Sequence, residues 1–187
     1  MDFAAVTDHA EYLGQARQAN LDVPTNRRSL RDLLLNGNAL EITFAWIKST
    51  GFIKNKGFGF GIDKVDEQVN KAAWEMTIEA AQKYNEPGVF TSFIAYEWSA
   101  FVDDSTVHIH RNVIYRDDQV SEKPFSYLDS QRPEDLWRFL EEEGQAGRHA
   151  FAIPHNANLS NGNMYRKVDS DGSPITAEYA QPLRAYQ

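Results

Sequence analysis

The run Phe3-Ala4-Ala5-Val6-Thr7-Asp8-His9 constrains the fold of this chain most. Phe3 to Val6 reads as a buried strand, and its exit carries an acid and an imidazole. Proteins of the α/β class place active-site groups where strands end. The pattern recurs. The strand-like stretch Val89 to Tyr96 runs into Glu97-Trp98-Ser99, and Ala150 to Ile153 runs into Pro154-His155-Asn156. The strand predicted over His108 to Tyr115 has two histidines near its start. Helical segments lie between. One covers Asp66 to Tyr84, with Val69, Ala73, Met76, Ala80 and Tyr84 at helical spacing, and Glu86-Pro87-Gly88 ends it. Another starts near Pro133, carries Leu136, Trp137, Phe139 and Leu140, and closes at Glu141-Glu142-Glu143-Gly144. Strand–helix alternation predicts an α/β fold.

Other segments are less regular. Short helices are expected from Ser29 to Leu35 and over residues 39–49. Glycines at 51, 57, 59 and 61 mark a turned or flexible connection, such as a lid. Their spacing breaks the dinucleotide-binding order. The residues after Ser160 are polar and turn-rich, with no predicted element.

Composition narrows the chemistry. The 187 residues suffice for one domain with a core. A formal net charge of -8 argues against nonspecific nucleic-acid binding and against attraction to an anionic membrane. There is no cysteine, which excludes disulfides and thiolate metal sites. No signal-peptide pattern stands at the start, and localisation stays open.

Carboxylates and neutral imidazoles are natural ligands for zinc, manganese or iron. His9, Glu97, His108, His110 and His155 are the candidates, and in a parallel barrel strand exits gather at one face. Each has a plainer reading, as an ion-paired, solvent-facing or loop residue. Arg111 could hold a phosphate or carboxylate through two hydrogen bonds, or form a salt bridge within the fold. Asn156 and Asn158 could bind ligand or form Asx turns. Trp98 and Trp137 read as core rather than as a substrate platform.

Four segments carry a family resemblance. Thr7-Asp8-His9-Ala10-Glu11-Tyr12-Leu13-Gly14 resembles a metal motif of the family designated domain of unknown function 3604, within the PHP (polymerase and histidinol phosphatase) superfamily of metal-dependent phosphoesterases. Ala95 to Ser99 resembles its glutamate motif, and His108 to Tyr115 and Ile153 to Ser160 resemble two histidine motifs. The resemblance implies a distorted (β/α)7 TIM-like barrel, with His9, Glu97, His110, His155 and, less directly, His108 as ligands. It gives Asp8 a supporting role in catalysis, and Arg111 is the candidate contact for a substrate anion.

The resemblance also implies two or three divalent ions (Zn, Mn or Fe) in a complete domain. The expected activity is a phosphoesterase-like hydrolase using metal-activated water on a small-molecule substrate, such as an anionic one. An earlier His-x-His motif and a late aspartate–histidine pair have no counterpart here. The 187 residues are therefore expected to form one partial domain, lacking the first strand and the C-terminal part, inactive in isolation and able to associate through exposed sheet edges. Residues 14–65 are expected to be a family-specific insertion or lid. The alternatives are a non-catalytic metal-binding or structural domain, and a carbohydrate- or small-ligand-binding α/β module lined by Trp98, Trp137 and the asparagines.

Overall fold

In the computed structural model, which describes residues 2–14, 37–40, 43, 67–102 and 107–186, the opening run becomes β1 (Phe3–Ala5). It pairs in parallel with β2 (Thr91–Phe93), Phe3 opposite Thr91 and Ala5 opposite Phe93. Only Ile94 separates β2 from β3 (Ala95–Trp98). β3 pairs antiparallel with β4 (Arg111–Tyr115), and β4 pairs antiparallel with β5 (Ala150–Pro154). Three α-helices are described: α1 (Glu67–Tyr84), α2 (Pro133–Gln145) and α3 (Ala177–Tyr186). None of the described helices is long and apolar enough to cross a membrane.

The chain divides into two compact units, Met1–Glu11 with Glu75–Gln187, and Tyr12–Trp74. All five strands, α2 and α3 belong to the first unit. Within the second, the amide N–H of Gly14 donates to the Asn70 side chain at 3.2 Å. Residues 39, 40 and 43 are helical, in agreement with the start of the helix predicted there. The helix predicted over Ser29 to Leu35 and the glycine-rich stretch from 51 to 61 lie outside the described residues, as does most of 14–65.

The core of the first unit lies on one face of the β3–β4–β5 sheet. Tyr96, Trp98, Val113, Tyr115 and Ala152 are fully buried there, with Leu136 and Leu140 of α2. Each large apolar side chain so buried stabilises by about 1.5–3 kcal/mol. Pro133 opens α2, where its fixed φ and missing N–H carry no penalty. The Ser130 hydroxyl accepts from the Arg132 amide and donates to Asp135, tying the entry turn to the first helical turn. Trp98 Nε1 donates to the Ser130 carbonyl at 3.1 Å. Side chains alternate along a strand. Glu97, Asn112 and Ile153 therefore share the other face.

Four expectations are corrected. The barrel is absent: the described strands form a two-stranded and a three-stranded sheet, and the larger is antiparallel. Alternating strands and helices do not dictate direction. α2 stands between β4 and β5 in sequence, yet these strands pair antiparallel. β1 is not buried, since Phe3 is 66% and Val6 64% exposed. On α1 the buried residues are Trp74 and Ala81, whereas Met76 and Tyr84 are exposed. The indole of Trp74 is the largest apolar group on the helix, and it sets the buried face. Finally, the polar tail forms α3. Its Tyr179 hydroxyl donates to Glu134 at 3.0 Å, and the Ser170 amide and hydroxyl donate to the same carboxylate. Tertiary hydrogen bonds hold a segment whose own pattern is weak.

Candidate metal centre

Antiparallel pairing decides where the four ligand-rich segments meet. β4 runs against β3 and β5, so its start lies at the same end of the sheet as their exits. In an all-parallel barrel that start would sit at the opposite end. Backbone hydrogen bonds complete the row. The Glu97 amide donates to the Asp8 carbonyl at 2.8 Å, His9 bridges Glu97 in parallel, and the His155 amide donates to the His110 carbonyl at 2.9 Å. Neighbouring strands thus deliver His9, Glu97, His110 and His155 to one end of the sheet.

Three of these side chains form a group suited to one divalent ion. His9, Glu97 and His110 each offer a ligand atom, all within 4.8 Å of one another. The donor set is two imidazoles and one carboxylate, which suits zinc, manganese or iron. Glu97 and His110 are buried, and His9 is half-exposed. His110 Nδ1 donates to Glu97 Oε1 at 2.6 Å. A carboxylate only accepts, so this contact leaves the lone pair of neutral His110 on Nε2. That atom lies 3.0 Å from Nδ1 of His108. The His155 ring nitrogen Nε2 is 3.8 Å from Glu97 Oε2. His155 and His108 therefore border the three-donor group without belonging to it. Phe101 packs edge-on against the rings of both His108 and His110.

Charge and burial act together. Burial pushes the Glu97 carboxyl up, but the hydrogen bond from His110 and the fields of the His9, His110 and His155 imidazoles outweigh it and hold it below the ordinary value. The His9 imidazole is raised, first by its contact with Glu11, against the opposing effect of burial and with help from Glu97 and Asp8. Burial, with His110 beside it, lowers His108 to about 4, so it is neutral near pH 7.

The remaining candidates are placed elsewhere. Asp8 is exposed and touches the centre through its carbonyl and its field on His9. Arg111 precedes Val113 and Tyr115 on the core face, opposite to Glu97. Its guanidinium lies 5.0 Å from the Trp137 ring and 5.9 Å from the Trp98 ring, and Nη1 donates to the Ile109 carbonyl. Both tryptophans are buried, as expected for core. Asn156 adopts a left-handed φ of 56° and turns the chain after His155.

Sequence reasoning passed over two neighbours of the centre. Ser99, which is 1% exposed, hydrogen-bonds His9 Nδ1 through its hydroxyl. Glu11, 3% exposed, places Oε1 3.4 Å from the same nitrogen. Both stand inside the quoted motifs, two residues after a ligand, and only burial distinguishes them.

No curated protein and no solved structure matches this chain. One family model does, described as "Protein of unknown function (DUF3604)" and matched over residues 1–186. With the metal-type cluster built from the motifs that suggested it, the chain belongs to the DUF3604 family.

Proposed function

We propose that this chain carries the metal centre of a hydrolase that cleaves a phosphoester or comparable ester with an activated water. The observation that carries this reading is the convergence of His9, Glu97 and His110, with ligand atoms within 4.8 Å, on one buried carboxylate. A three-donor set fits a catalytic ion, which keeps a position open for water or substrate; structural zinc sites use four protein ligands. The half-exposed His9 marks the solvent side. The order of the four motifs, similar to that of the PHP superfamily, supports the phosphoesterase class.

A divalent ion bound here would lower the pKa of a coordinated water and offset charge on substrate oxygens. The chain's own residues do the rest. Glu97 stays ionised and supplies the negative donor. His110 is fixed by its Nδ1 hydrogen bond to Glu97. His155, 42% exposed at the side chain, stands at the solvent rim of the group. The ligands assigned here group around one ion; a second or third belongs to the proposal only if His155 and His108 recruit it.

The test is to measure metal content by mass spectrometry and hydrolysis of a generic phosphodiester with Mn, Zn or Fe. About one ion per chain is expected, and any hydrolysis should be lost on chelation. Turnover that ignores chelation, or no uptake of any of the three metals, refutes the proposal. Stoichiometric metal without hydrolysis would favour a non-catalytic metal-binding domain.

A further inference from the structure

Glu11 is a buried acid that the three-donor group leaves out. It sits on the 3-10 turn Ala10–Tyr12, immediately after the strand end that carries His9. Its side chain is 1% exposed. Oε1 lies 3.4 Å from His9 Nδ1, and Oε2 is buried without a hydrogen-bond partner among the described residues. Burying a carboxylate is costly unless positive charge or donors face it. Here the facing group is the His9 ring.

Two oxygens converge on that one nitrogen, Oε1 of Glu11 and the hydroxyl of Ser99. A lone pair on Nδ1 would point into the field of the carboxylate. A proton there is attracted by it and accepted by either oxygen. The neutral ring is then protonated on Nδ1 and keeps its lone pair on Nε2. Which ring nitrogen binds a metal is set by the hydrogen bond that the other makes.

We propose that Glu11 is a positioning residue of the metal centre, holding His9 through Nδ1–H so that Nε2 is the atom offered to a divalent cation. This rests on the metal-centre reading above and adds an outer carboxylate to it. Glu11 acts through His9, and Ser99 shares the same proton.

The test has two arms on the full chain. The first needs no metal: long-range proton–nitrogen NMR reads the His9 tautomer at a pH where the ring is neutral. Wild type should show Nδ1–H. Glu11→Ala should shift the ring towards Nε2–H, with Glu11→Gln between them because its amide oxygen still accepts. Ser99→Ala should keep Nδ1–H. The second arm titrates Zn by calorimetry. Glu11→Ala should weaken binding by roughly 10–100-fold, the range for outer ligand partners, and Glu11→Gln by less.

A wild-type ring in the Nε2–H form, or a tautomer indifferent to both Glu11 substitutions, overturns the proposal. So does unchanged zinc affinity in a variant whose tautomer has shifted. If wild type binds no zinc, the metal-centre reading fails, while the first arm still decides whether Glu11 sets the His9 tautomer. Should Glu11→Ala fail to fold, Glu11→Gln and Ser99→Ala give the same comparison.

Discussion

Glu97 and Arg111 are two buried charges on opposite faces of one sheet, and their surroundings differ completely. Glu97 is 5% exposed and Arg111 is 3% exposed. Around Glu97 stand imidazoles, which can donate a hydrogen bond, carry charge, or give up a proton and bind an ion. Around Arg111 stand indole rings and a carbonyl. Its Nε is buried with no hydrogen-bond partner among the described residues. Burial lowers the Arg111 pKa to about 10, so it remains charged near neutrality. The rings of Trp98 and Trp137 stabilise that charge, and the field of the Glu134 carboxylate adds to it. Burial of a charge therefore does not identify a functional group. The chemistry of the neighbours does, and only Glu97 has neighbours that can share an ion with it.

The largest expected effect tests the Glu97 side of this contrast. Glu97→Gln removes the only carboxylate of the three-donor group. Zinc affinity should fall by more than about 100-fold, beyond the roughly 10–100-fold typical of outer partners. Calorimetric titration measures it, and affinity within tenfold of wild type would erase the distinction between the two charges.

Arg111 should behave in the opposite manner. Arg111→Ala should cost about 2–4 kcal/mol of stability, through lost cation–π contacts and packing between the tryptophans. Zinc affinity should not change. Arg111→Met keeps the volume and removes the unpartnered Nε, so it should recover most of that loss. Urea unfolding with parallel zinc titration reads both. A loss of metal affinity or hydrolysis in the well-folded Arg111→Met chain would return Arg111 to the site.

A smaller effect concerns Glu134, a carboxylate that accepts from hydroxyl and amide groups and lies 3.9 Å from Arg132 Nε. Burial pushes its pKa up, but hydrogen bonds from Ser170, with a contribution from Tyr179, bring it below the ordinary 4.5. An acid depressed in the folded state stabilises fully above its unfolded pKa. That contribution is lost as pH falls through the folded value. Glu134→Gln should therefore cost about 1 kcal/mol near pH 7, and the gap from wild type should close below about pH 4. Thermal melts across this range check it. A gap that widens in acid would contradict the sign.

Much of the site was readable because its chemistry is concentrated in few residues. Histidines are rare in this chain, and a glutamate after Phe93-Ile94-Ala95-Tyr96 is conspicuous. The helices α1 and α2 and strands β1 and β5 fall close to where apolar spacing and the stops at Pro87-Gly88 and Gly144 place them. The single strand expected over Val89 to Tyr96, however, is two strands in different sheets, and β4 begins at Arg111 rather than His108. Glu11 and Ser99 were not readable as site residues. A glutamate in a polar turn resembles any solvated acid until its burial is known. Arg111 shows the converse, since its proximity to His110 in sequence conceals the strand alternation that sends it to the other face.

By itself the sequence determined most of the elements, the ligand types and the family, because these depend on local spacing and residue chemistry; α3 came from tertiary contacts. Tertiary structure decided strand direction, the absence of a barrel among the described residues, and which candidates meet. Strand direction depends on pairing between distant segments, and local periodicity is the same for parallel and antiparallel neighbours. The start of β4 could join the ends of β3 and β5 only through that antiparallel pairing, and the pairing brings His110 to Glu97.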